Sequence, residues 1–89
     1  MSKNRGEKIT LGAAADSLLG SDTFNMVLED LLYANYTSFL ATSSHQHEER
    51  EKLYDFATAL RLVKGRLEVL REDGKIELHN QKLDDEALK

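Results

Sequence analysis

Residues 53–70 read LYDFATALRLVKGRLEVL, and the spacing of their apolar side chains decides the fold. Leu53, Leu60 and Leu67 recur every seven residues, and Phe56, Val63 and Leu70 recur in the same way three places later. Two apolar positions per seven residues mark a helix that lays one stripe against another helix. The run covers about three heptads, which is marginal for an isolated coiled coil. Ala57 and Ala59 flank the stripe and let a partner helix come close. Upstream, Gln46 and Glu49 fill the same slots, so the stripe opens at the start of the helix.

Working outward, Thr42-Ser43-Ser44 serves as link and cap, with Ser43 and Gln46 spaced as a capping box. Glu48, Glu49 and Glu51 crowd the first turns, where the helix dipole favours negative charge. At the other end Asp73-Gly74 predicts a stop, because glycine suits the left-handed cap and Arg71 suits the dipole. The helix is therefore expected over residues 44–73, about 45 Å at about 1.5 Å per residue. A thinner stripe, Thr58, Leu62, Gly65 and Val69, occupies a different face. A glycine inside a helix costs on the order of 1 kcal/mol against alanine. Close approach of another backbone at Gly65 is the expected reason, from a second molecule or from the N-terminal segment folding back.

A shorter helix is expected over residues 22–41. Ser21 or Asp22 is a good N-cap, and Phe24, Val27, Leu28, Leu31, Leu32, Asn35, Phe39 and Leu40 follow at three- and four-residue intervals. Tyr33 and Tyr36 flank that stripe. Residues 1–8 carry charge, a glycine and no hydrophobic period, and are expected to form a flexible arm. Residues 9–20 read as a short helix or an extended arm. Residues 75–89 read as a short strand, a short helix or a partner-dependent arm. The whole is one small all-α domain: a helical hairpin over residues 21–74 with flexible N- and C-terminal arms.

Composition narrows the function. The chain has 89 residues, no Pro, no Cys and a net charge of −4. A chain this short buries only about 60% of the surface that its unfolded form exposes, so disulfides, metals or association commonly supplement its core. Without Cys, disulfides are excluded. With His45, His47 and His79 as the only imidazoles, metal binding is poorly supported. Association with copies of itself, or with a larger assembly, remains by elimination. The acidic balance disfavours bulk capture of nucleic acid, which needs Lys and Arg to displace counterions. No apolar leader opens the sequence and no run approaches the ~20 apolar residues of a membrane span. A soluble, cytoplasmic protein with no membrane contact is expected.

Candidate chemistry is sparse. His45 and His47 lie two apart, which on a helix points them to different sides. Arg61, Lys64 and Arg71, with Arg66 and Lys75, form the only basic concentration and are possible contacts for phosphate or an acidic partner. Glu68, Glu72 and Asp73 interleave with them, and pairing along the helix is the reading favoured. Tyr33, Tyr36 and Tyr54 have the rings to stack bases, though packing at the hairpin edge fits their spacing better. Asp84-Asp85-Glu86 lacks calcium-loop spacing. Nothing places a nucleophile, a base and an orienting group together, so no enzyme, no cofactor and no catalytic residue is expected.

The stretch TFNMVLEDLLYANYTSFLAT (23–42), a Ser/His/Glu link and EEREKLYDFATALRLVKGRLEVLREDGK (48–75) resemble small helical proteins encoded in tailed-phage structural gene clusters. Arg50-Glu51-x-Leu53-Tyr54, Ala59-Leu60-x-x-Val63-x-x-x-Leu67 and the terminal Asp73-Gly74 carry the resemblance, which spans residues 24–74. It implies a virion or assembly component present in several copies, in the host cytoplasm or the virion, and it transfers no site residues. The expectation is a non-enzymatic structural or interaction protein. Its helix-pairing surface is Leu53, Phe56, Leu60, Val63, Leu67 and Leu70, with a second contact at Leu62, Gly65 and Val69. The alternatives are a DNA-packaging subunit akin to the small terminase, and a small acidic inhibitor of a host protein.

Overall fold

The computed structural model describes residues 4–88; parts of the two expected arms, residues 1–3 and 89, lie outside the described residues. Three helices follow in order, α1 (Arg5–Leu19), α2 (Asp22–Leu40) and α3 (His47–Ala87), and no strand occurs among the described residues. The all-α class, the helical hairpin and the long final helix agree with the sequence reading.

Each helix start has a visible cause. The Asn4 side chain accepts from the Glu7 amide at 2.8 Å and donates to the Glu7 carboxylate at 3.0 Å. That side-chain cap starts α1 where a flexible arm is expected. Gly20 closes α1 with its N–H on Asp16 and Leu18 carbonyls, and Ser21 caps α2 by accepting from Phe24 at 3.2 Å. Before α3, the Gln46 side chain accepts from the Ser43 amide at 2.8 Å, so Gln46 makes the reach-back half of the expected box. His47, not Ser44, is the first residue of α3.

The chain divides into two compact units, Ser21–Lys64 and the combination of α1 with α3 from Gly65 onward. In the first unit α2 pairs with the start of α3. Asn35 donates to the Leu53 carbonyl at 2.8 Å, and Arg50 lies over the Phe39 ring at 4.5 Å. Rising numbers on one helix meet falling numbers on the other, so the pair is antiparallel. Leu28, 8% exposed, is the best-covered large side chain of this unit.

In the second unit α1 pairs with the later part of α3, also antiparallel. Arg5 bonds Asp84 at 2.7 Å and Glu77 at 3.2 Å, Lys8 approaches Glu77 at 3.8 Å, and Gly12 meets Gly74. Ala15, 2% exposed, packs beside that crossing. A methyl group built on Gly12 would stand 2.7 Å from the Gly74 Cα and 2.9 Å from the Leu70 carbonyl oxygen. One built on Gly74 would stand 2.8 Å from the Gly12 Cα.

Two expectations about glycine are thereby corrected. Gly74 does not end the helix: no described glycine has a positive φ, and α3 runs on to Ala87. Its lack of a side chain serves backbone contact with Gly12, and the turns beyond it are held by Arg5 and Lys8. The tail is therefore helix, not an arm. At Gly65 it is the fold-back alternative that is corrected: a methyl group placed there would have nothing within 4 Å among the described residues of the same chain. The N-terminal segment does fold back on α3, but at Gly74.

Candidate interaction surfaces

In the Ser21–Lys64 unit the heptad residues divide into two sets. Leu53 and Leu60 are half-buried, whereas Phe56 and Val63 are 47% and 52% exposed. The cause is helix geometry. In an antiparallel pair, the residue following each contact residue falls on one flank in both helices, and the residue preceding it falls on the other. Phe56 and Val63, about 60° round from Leu53 and Leu60, share the preceding flank with Val27 and Leu31 of α2. Those two are also exposed, at 49% and 41%. The flank is aliphatic and aromatic, with no ionisable group among these four side chains.

The other flank has a different chemistry. Tyr33 and Tyr36 of α2 and Tyr54 and Arg61 of α3 line one open depression of about 540 Å³, with Leu32, Asn35, Phe39 and Ala57. The tyrosines do not pack away at the hairpin edge: they are 72%, 58% and 65% exposed in chain order. Asn35 is held in the wall by its bond to the Leu53 carbonyl. Arg61 takes part in no ion pair among the described residues.

In the other unit Leu67 and Leu70 are half-buried. Val69, Ile76 and Leu83 recur every seven residues, one place before the contact line Leu70, Glu77 and Asp84. That offset turns them about 100° away from α1, and they are 46%, 57% and 50% exposed. A smaller depression of about 190 Å³ lies beside the glycine crossing, lined by Ile9, Gly12, Ala13, Asp16, Arg71, Gly74, Lys75 and Leu78. Hydrogen bonding to Asp84, and then to Glu77, holds the Arg5 pKa above its ordinary value.

The basic residues of the sequence reading do not act alike. Arg61 lines the tyrosine depression, Lys64 is exposed, and Arg71 bonds the adjacent Glu72 at 3.2 Å. Leu62, at 68%, and Gly65 are exposed, and among the described residues nothing stands within 4 Å of a methyl group placed on Gly65. Among the described residues no group of three His, Asp or Glu side chains is placed to hold a metal ion. Sequence reading names Tyr33, Tyr36, Tyr54 and Arg61 separately, and the structure brings them into one depression. Its signal was present: Tyr36 follows Asn35, Tyr54 follows Leu53 and Arg61 follows Leu60, so all three stand beside residues of the contact line. No protein-family model, no curated protein and no solved structure matches the chain.

Proposed function

We propose that the chain is a non-enzymatic interaction protein that completes its core with further helices, supplied by copies of itself or by a larger assembly. The observation that carries this reading is the split heptad. One position, Leu53 and Leu60, is covered by α2, while the other, Phe56 and Val63, is open beside Val27 and Leu31. Each helix pair thus has one occupied face and one free apolar flank. Burying apolar area is worth about 25 cal/mol per Å², so the flank gains most by meeting another of its kind. No described helix is long and apolar enough to cross a membrane. The resemblance to phage accessory proteins makes a virion, or its assembly in the host cytoplasm, the setting to test first.

The DNA-packaging alternative draws little support. Arg71 spends its guanidinium on Glu72, and the remaining candidates lie on a chain of net charge −4. The test is light scattering across a concentration series with Phe56→Asp and Val63→Asp. Both exposed positions accept the change without disturbing a packed interior, so helicity at high dilution stays near that of the parent. The association constant is expected to fall at least about tenfold. Parent and variants of equal mass at every concentration would remove this flank from the account.

A further inference from the structure

We infer that the tyrosine depression receives the Leu83–Glu86 face of a second copy of this chain. This contact rests on the self-association reading and gives it a specific place.

The depression has the composition of a protein-binding hot spot. Tyrosine and arginine carry a disproportionate share of interface energy, because they offer large rigid contact area with a polar tip. Here three exposed tyrosines surround an apolar floor of Leu32 and Ala57, and Arg61 stands at the edge. A volume of about 540 Å³ admits an aliphatic side chain and part of the turn that bears it. Arg61 has no acidic partner among the described residues, and the Asn35 amide nitrogen is already engaged while its oxygen is open. The occupant therefore needs an apolar anchor with a carboxylate about one helical turn away.

The later part of α3 supplies both. Leu83 is 50% exposed on the face turned from α1, and Glu86 follows one turn later, where residues three apart are neighbours. Glu86 forms no ion pair among the described residues, whereas Asp84 is engaged by Arg5. Ile76, two turns earlier and 57% exposed, extends the apolar line on the same face. With Leu83 on the Leu32–Ala57 floor, Glu86 meets Arg61. Single-stranded nucleic acid fits less well. A phosphate chain draws its affinity from several cations, and Arg61 is the one cation among the residues that line the depression. The donor and acceptor surfaces differ, so two copies either exchange the contact reciprocally in a closed dimer or pass it on to a ring or an open chain.

The test is a charge exchange in the full chain, read by sedimentation over a concentration series. Arg61→Glu and Glu86→Arg each bring like charges together and are expected to lower the association constant about tenfold. Combined, they restore the pair and return the constant to within about threefold of the parent. Tyr36→Ala is expected to weaken association about tenfold without altering the far-ultraviolet spectrum. Single variants that associate as the parent does, or a double variant no better than the singles, would overturn the inference while leaving self-association through the aliphatic flank intact. A parent that stays monomeric throughout would overturn both.

Discussion

Replacing Gly12 with alanine should unseat α1, although the same change at Gly65 should stabilise the protein. Carbon atoms in contact sit about 3.5–4.0 Å apart, and the new methyl group would lie 2.7 Å from the Gly74 Cα and 2.9 Å from the Leu70 carbonyl oxygen. Both obstructing atoms are helix backbone, so no rotamer change relieves them; the two helices must separate by about 1 Å. Overpacking of this kind costs typically ~1–3 kcal/mol, and a rigid obstacle places it toward the upper end. Alanine returns about 1 kcal/mol in helix propensity, leaving a net loss near ~2 kcal/mol. At Gly65 nothing stands within 4 Å, so only the gain of about 1 kcal/mol remains. In a domain of this size 1 kcal/mol moves the melting temperature by ~4–8 °C. Circular dichroism melts at one fixed protein concentration should therefore move in opposite directions, and amide exchange should quicken across α1 in Gly12→Ala alone. A Gly12→Ala protein that melts at or above the parent temperature would refute the glycine crossing.

Other consequences are smaller. Asn4→Ala removes the cap of α1 and should cost about 1 kcal/mol, seen as faster amide exchange in the first turn of that helix. Asn35→Ala deletes the half-buried bond to the Leu53 carbonyl and should lower stability to urea by about 1 kcal/mol. Arg5→Ala breaks its pairs with Asp84 and Glu77, which are solvent-exposed on the arginine side; the loss of thermal stability should be small and shrink in high salt.

The long helix, the hairpin and the Ser21 cap were legible because each depends on neighbours within one or two turns. Leu53, Leu60 and Leu67 announce a buried stripe by spacing alone, and Ser21 precedes the periodic run it caps. Gly74 reads in reverse for the opposite reason. What decides between a stop and a close approach at Gly74 is Gly12, which no local window contains. The ladder of Arg5 and Lys8 on Glu77 and Asp84, which holds the tail in helix, is equally distant in sequence. A local signal stands at the other end: Asn4 is a good N-cap with Glu7 in the first turn, and this outweighs the charged, aperiodic look of residues 4–8. For the surfaces, heptad spacing marks Leu53, Leu60, Leu67 and Leu70, which are half-buried, together with Phe56 and Val63, which are exposed. Spacing alone leaves open which heptad position the chain covers itself, since that depends on the flank that α2 takes.

The flank left open by the hairpin is, on this reading, covered by further helices, and copies of the chain are the nearest source. Sedimentation equilibrium of the purified parent, with helicity followed over the same concentrations, tests this most directly. The expected result is a mass that rises above the 10.1 kDa of one chain, with helicity rising alongside it. A fully helical species holding the mass of a single chain from the lowest to the highest concentration would contradict it.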